Sequence, residues 1–234
     1  MKYLCWDVDG TLLLTNKAGY DALIETIKVR FGKPNYKFSH SLAGTTDSSI
    51  VKEVVKDIKG RCTSADAASF LITYHMLLSQ YLPTHKGWLM PNVQKTLAYV
   101  KEQAPEWENC LLTGNTFDAA KTKVKFYQIA KYFDFNHSVY GDLSESRNDL
   151  AKILYTRLLA EQCVTKPEDL LIIGDTVHDA ACAAAINAPC LIVLAGSSAK
   201  AEDFKDIKPW KIIDKLPDDP AEFIKLANSA TTRA

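Results

Sequence analysis

Four aspartates stand where chemistry could be done. Asp7 and Asp9 lie in the run Asp7-Val8-Asp9-Gly10-Thr11-Leu12, and Asp175 and Asp179 lie in Gly174-Asp175-Thr176-Val177-His178-Asp179. Each run follows a short apolar stretch, residues 3–6 and 170–173. An ionised carboxyl at the end of a buried strand is costly unless something compensates it. Asp7, Asp9 and Asp175 gathered in one crevice would repel one another unless a cation or shared protons relieve them. Oxygen ligands at that density select a hard cation such as Mg²⁺, which keeps some waters and takes a substrate phosphate as a further ligand. Asp and Gly are also ordinary turn residues, so the first run alone would suit a plain strand-to-turn transition. A third polar turn, Thr113-Gly114-Asn115 after the apolar residues 110–112, makes that plain reading insufficient.

The elements that must position these residues follow from the apolar pattern. Short apolar runs bounded by turn signals fit strands buried on both faces. Residues 3–6, 110–112 and 170–173 have this form, and 190–194 and 211–213 resemble them. Amphipathic helical spacing occurs over 93–102, 117–126, 150–163 and 179–186. Strands alternating with helices predict a doubly wound α/β fold with a parallel sheet. Ligands of such sheets bind beyond the carboxyl ends of the strands. All three polar turns follow strand ends, so they can converge on one crevice.

The interval from 16 to 85 has a different texture. It reads as helices over 20–31, 47–59 and 65–82, with no strand. A structureless loop of that length is improbable in a compact domain. The expected organisation is therefore a core from residues 1–15 and 86–234, and a helical insertion over 16–85. The hinges are expected at Leu14-Thr15-Asn16 and between Pro83 and Pro91. The polar tail from Asn228 to Ala234 is expected to fray.

Composition narrows the partners. The 234 residues are 47% hydrophobic and 24% charged, which is ordinary for a soluble globular protein. Lys+Arg and Asp+Glu both total 28. Nucleic-acid binders usually carry a basic excess, so no nucleic-acid partner is expected. No run approaches the roughly 18 apolar residues needed to span a bilayer, and two carboxylates interrupt the first ten residues before a signal-peptide core could form. The expected location is the cytoplasm, with no membrane partner. The six cysteines form no CxxC pair and several sit in apolar runs, which reads as buried free thiols rather than zinc or disulfide chemistry. No oligomeric state is legible.

On these motifs the sequence resembles the haloacid dehalogenase-like superfamily, in the branch of phosphoglycolate phosphatases and β-phosphoglucomutases. The family's first motif, DxDGT, matches Asp7 to Thr11. Its second, a hydroxyl residue ending a strand, matches Thr113. Its fourth, GDxxxD, matches Gly174 to Asp179. The third supplies a Lys or Arg, often as KP, and no KP stands in the expected region. Arg147, opening a helix in SESRNDL, is the choice, with Lys152 as runner-up. Lys121, Lys123 and Lys125 lie too close to the second motif.

The resemblance implies a Rossmann-like core with an α-helical cap, and a Mg²⁺-dependent phosphatase acting on a small phosphorylated metabolite. It makes Asp7 the nucleophile that forms an aspartyl-phosphate. Asp9 becomes the acid that protonates the leaving group and then the base that activates water. The implied metal contacts are Asp7, the Asp9 backbone carbonyl and Asp175, with Asp179 supporting them. Phosphate contacts fall to Gly10, Thr11, Thr113, Gly114 and Asn115, and Arg147 balances charge on the transferring group. In the cap, Gly44 and Thr45 are expected to line the entrance, while the neighbouring Asp47 also reads as an N-cap or first-turn residue of the helix that follows. His178 tempts one toward a general base, but the family gives that work to the position of Asp9. Asp9 also argues against a dehalogenase, which typically lacks the second aspartate. A phosphomutase shares every motif and is the alternative. A receiver-type signalling domain would lack the helical insertion. Phosphoglycolate, sugar phosphates and nucleoside monophosphates all suit the framework.

Overall fold

The first strand in the chain lies inside the sheet with a partner strand on each side, and that placement positions everything else. In a computed structural model that describes residues 1–231, β1 (Lys2–Trp6) is followed by the two-residue β2 (Leu13–Leu14). Next come α1 (Ala18–Phe31), α2 (Asp47–Lys59) and α3 (Ser64–Tyr81). Then β3 (Trp88–Leu89), α4 (Val93–Gln103), β4 (Trp107–Leu111), α5 (Phe117–Phe126) and α6 (Arg147–Ala160) follow. The chain continues with β5 (Leu170–Gly174), α7 (Val177–Ala184), β6 (Cys190–Val193), β7 (Lys211–Ile213) and α8 (Pro220–Thr231). Five strands form one parallel sheet in the order β4-β1-β5-β6-β7. The doubly wound α/β architecture is the one the strand–helix alternation predicts.

Alternation along β1 feeds two cores. Leu4 and Trp6 point into a cluster with Leu97 of α4 and Phe223 of α8. Tyr3 and Cys5 point into a second cluster with Leu150 and Leu154 of α6 and Ala180 of α7. Both faces of the sheet are thus covered, which is why these strands read as unbroken apolar runs. Trp6 is packing: it stacks on Phe223 with ring centroids 5.6 Å apart and donates its indole N–H to Asn109 Oδ1 at 2.9 Å. Burial of a side chain of that size contributes roughly 2–3 kcal/mol.

The helices α1, α2 and α3 pack around a third core of their own, with Ile27, Val54, Phe70 and Leu78 fully buried. The chain enters and leaves this helical body through β2 and β3, which pair antiparallel, Leu13 with Leu89 and Leu14 with Trp88. The pair lies on the two predicted hinge stretches and was not legible as strands, because two residues are too short to show a period.

One expectation is corrected. Asn228 to Thr231 do not fray but continue α8, whose Ala227 and Ala230 are buried against the first core; residues 232–234 lie outside the described residues. Helix α6 starts at Arg147, the residue expected to open it, because Ser146 caps it, its hydroxyl accepting from Asp149 N. Of the six cysteines, Cys5, Cys110, Cys182 and Cys190 are buried, while Cys62 and Cys163 are half-exposed. Among the described residues, no helix is long and apolar enough to cross a membrane.

Candidate active site

Parallel pairing brings three strand ends side by side. Trp6 is in register with Leu111 of β4 on one side and Ile173 of β5 on the other. The ladder runs one step past each strand: Asp7 N donates to Ile173 O at 2.9 Å, and Leu112 N donates to Trp6 O at 2.8 Å. The residues that follow, Asp7, Thr113 and Asp175, are therefore neighbours at one edge. Carboxylate oxygens of Asp7, Asp175 and Asp179 all lie within 4.8 Å of one another, and all three residues are buried. Gly10 lets this happen: its φ is +87°, and a Cβ there would sit 2.4 Å from Asp175 Oδ2.

The cluster is electrostatically strained. Burial pushes the Asp7 carboxyl up to about 6; Arg147 opposes the rise, and Asp179 and Asp9 add to it. Burial, then the Asp179 and Asp7 charges, push Asp175 up to about 8. Burial works against the Arg147 charge, but Asp179 and Asp7 more than compensate and hold its proton firmly. Arg147 Nη2 bonds Asp179 Oδ1 and lies 3.1 Å from Asp7 Oδ1, yet that buried oxygen accepts no aligned hydrogen bond. An under-satisfied carboxylate oxygen beside a second carboxylate that resists ionisation fits a bound hard cation. Asp7 and Asp175 would hold it.

Asp179 is otherwise engaged. Its Oδ2 accepts from Thr176 N at 2.9 Å, from the Thr176 hydroxyl at 2.7 Å and from Asp175 N at 3.2 Å, capping α7. Its place is to hold Arg147 and the Asp175 backbone. Lys152, the alternative to Arg147, is exposed and pairs with Asp149 at 2.9 Å. Thr11 and Thr113, expected to touch phosphate, are turned to other work. The Thr11 hydroxyl donates to Asp175 Oδ1 at 3.1 Å, and the fully buried Thr113 hydroxyl accepts from Asn115 Nδ2 at 3.0 Å. Neither lines the cavity above the carboxylates, whereas Gly10, Gly114, Asn115, Gly44 and Thr45 do.

The sequence sets Lys123 too close to the second motif to be the third-motif cation, but the fold brings it to Asp9. Its ammonium donates to Asp9 Oδ2 at 2.6 Å and to Asn115 Oδ1 at 2.6 Å, and the residue is only 4% exposed. Asn115 Nδ2 completes the triangle, 2.8 Å from Asp9 Oδ2. Two turns of α5 carry the lysine back over the strand end where the helix began. A signal was present: Ala119, Ala120, Lys123 and Val124 form the buried stripe of α5, and a lysine in such a stripe needs a buried partner.

The helical body closes over the site through several polar contacts. Asp47 N donates to Gly114 O at 2.8 Å. Asp47 Oδ2 accepts from Thr116 N at 2.8 Å and so caps α5 from across the cleft. Burial pushes the Asp47 carboxyl up to about 6, with Lys123 pulling the other way. The Thr46 hydroxyl donates to Glu145 O at 3.1 Å. His178 packs under the loop: a Cβ on Gly44, whose φ is +75°, would lie 2.4 Å from its ring. Gly44→Ala is therefore expected to destabilise the protein by about 1–2 kcal/mol from the left-handed backbone alone, with the His178 clash in addition. Thermal unfolding should show a lowered midpoint; an unchanged one would mean that the loop is not held in this conformation.

The cavity between the helical body and the strand ends has a volume of about 510 Å³. A family model described as haloacid dehalogenase-like hydrolase matches residues 4–193. No curated protein sequence matches the chain. Solved structures share the fold at low identity. CbbY from Rhodobacter sphaeroides, in complex with phosphate, is 16% identical with a TM-score of 0.69, over 92% of this chain and 94% of that one. A Lactobacillus plantarum protein described provisionally as a phosphoglycolate phosphatase is 19% identical with a TM-score of 0.65, over 96% and 98%. A Thermotoga maritima protein described provisionally as a β-phosphoglucomutase is 17% identical with a TM-score of 0.61, over 98% and 99%.

Proposed function

Because the chain belongs to the haloacid dehalogenase-like hydrolase family, we propose that it is a Mg²⁺-dependent phosphatase acting on a small phosphomonoester through an aspartyl-phosphate on Asp7. The observation that carries this reading is the pairing of two unlike carboxylates. Asp7 is buried at the end of β1, whereas the Asp9 side chain, two residues on, is 41% exposed and is held by Lys123 and Asn115. One is placed to attack and the other to exchange protons with a leaving group and with water.

In the first half-reaction an Asp7 oxygen bonds to phosphorus as the ester P–O bond breaks, and Asp9 gives its proton to the departing alkoxide. In the second, Asp9 takes a proton from water as the water oxygen attacks phosphorus. The acyl-phosphate bond breaks, inorganic phosphate leaves, and Asp7 is restored. Arg147 holds Asp7 in place and faces the phosphoryl oxygens, while the Gly114 and Asn115 turn offers polar contacts to them. When bound to Asp7 and Asp175, Mg²⁺ supplies the positive charge that offsets both carboxylates and the phosphoryl oxygens. We read residues 16–85 as a cap that excludes water once substrate is bound.

The test combines activity with stability. Phosphate release should stop on chelation and return with Mg²⁺. Stability provides an independent readout. Asp7 and Asp175 are raised in the folded state relative to ordinary carboxyls near 4, so the folded chain retains protons that the unfolded chain has released. Stability of the metal-free protein should then fall as pH rises from about 4 to 8. Mg²⁺ must displace those protons, so it should raise the unfolding midpoint more at pH 8 than at pH 5. An equal effect at both pH values, or activity indifferent to chelation, would refute the metal site.

A further inference from the structure

Only a corner of the cavity is needed for a phosphoryl group; the rest, of about 510 Å³ in all, receives whatever the phosphate is attached to. The wall opposite the carboxylates comes from the helical body. Its larger side chains are Tyr20, Leu23, Leu42, Ile50, Val51 and Tyr74, all apolar or aromatic. The one charged residue that positions 18–81 contribute to this wall is an acid, Asp47.

Cations are few. Among the described residues that line the cavity they are Lys17, Lys123 and Arg147. Arg147 is taken up by Asp7 and Asp179 on the floor, and Lys123 by Asp9 and Asn115, its ammonium also near the helical wall, 3.8 Å from where a Cβ on Gly19 would stand. Lys17 is exposed at the mouth, ahead of α1. A second carboxylate or phosphate on the substrate would have to lie against aliphatic and aromatic groups with Asp47 beside it; of the cations near that wall, Lys123 is already paired with Asp9 and Asn115 and Lys17 stands exposed. Burying an unpaired charge in such surroundings is strongly unfavourable.

Resting on the phosphatase reading, we infer that the substrate is a phosphomonoester of an alcohol that carries no second anion and buries an apolar or aromatic body against α1–α3. Ring stacking and area burial on Tyr20 and Tyr74 would then supply the binding energy that closes the cap. The same wall is ill suited to 2-phosphoglycolate, whose far end is a carboxylate, and to a sugar bisphosphate, whose far end is a second phosphate.

The experiment compares kcat/KM of the full chain with Mg²⁺ on benzyl phosphate, 2-phosphoglycolate and glucose 1,6-bisphosphate. Acetyl phosphate, which needs few wall contacts, serves as the control for chemistry. Benzyl phosphate should exceed both anionic esters by at least about tenfold, the scale on which a pocket discriminates by apolar contact. Tyr20 is 45% exposed, so Tyr20→Arg should be tolerated by the fold. It places a cation on the wall and should raise kcat/KM for 2-phosphoglycolate while lowering it for benzyl phosphate. If either anionic ester matches benzyl phosphate in the unaltered protein, or if Tyr20→Arg lowers both esters alike, the inference is overturned. If acetyl phosphate is not hydrolysed either, the phosphatase reading fails and this inference with it. Hydrolysis of acetyl phosphate with a preference for 2-phosphoglycolate would sink the substrate class alone.

Discussion

Asp7→Asn should reduce turnover by roughly 10⁴-fold or more, the scale on which loss of a nucleophile acts. The amide is nearly isosteric, so the β1 turn and the ladder bond from Asp7 N to Ile173 O should survive. What disappears is the oxygen that can form an acyl-phosphate. A direct check is to quench a reaction in acid and weigh the intact protein. The unaltered chain should show a phosphorylated fraction, and Asp7→Asn none. The unfolding midpoint should stay close to its original value, because the change also relieves a like-charge contact with Asp175. Near-normal rates from purified Asp7→Asn would remove Asp7 from the reaction altogether.

Lys123→Met should lower kcat by roughly 10–100-fold, the range found when a group that orients a reacting side chain is removed. Methionine has a comparable length and keeps the apolar stem packed, so the loss reports the ammonium. Lys123 stands behind Asp9, to which it donates at 2.6 Å, and not on the phosphoryl group. A double-mutant cycle separates those two possibilities. If Lys123 acts through Asp9, Asp9→Asn combined with Lys123→Met should be no slower than Asp9→Asn alone. Effects that multiply in the double variant would instead give Lys123 an independent contact with substrate.

Legibility in the sequence followed the range of the interactions involved. β1, β4 and β5 could be read because both their faces are buried, and such strands announce themselves as short apolar runs. Asp7, Asp175 and Arg147 could be read because they sit one step beyond those runs or at the start of a helix, where position in the chain nearly dictates position in space. Lys123 could not be placed by that logic. It is eight residues beyond Asn115, and only the turning of α5 returns it to the strand end. Thr11 and Thr113 were expected to touch phosphate together with neighbours that do line the cavity. Whether a hydroxyl faces a cavity or a neighbouring side chain is decided by rotamers that the spacing of residues does not encode. The β2–β3 pair and the Asp47–Thr116 bond join segments about 70 residues apart, and no local pattern marks either one.

The bond from Thr116 N to Asp47 has a consequence for how this chain can change over generations. Thr116 makes no capping bond with its own side chain; at the start of α5, Asp142 of the core accepts from Phe117 N at 3.2 Å and Asp47 of the opposite body accepts from Thr116 N. Any drift at position 47 is thus felt first in the core, at the leading turn of the helix that also holds Lys123. The insertion is then not a free module: a foreign helical segment grafted between the hinges would arrive without one of the two aspartates that meet the start of α5. Because the Thr116 hydroxyl also donates to Asp47 Oδ2 at 3.3 Å, residues 47 and 116 should vary together among descendants of this sequence, while the apolar wall around them is left to diversify.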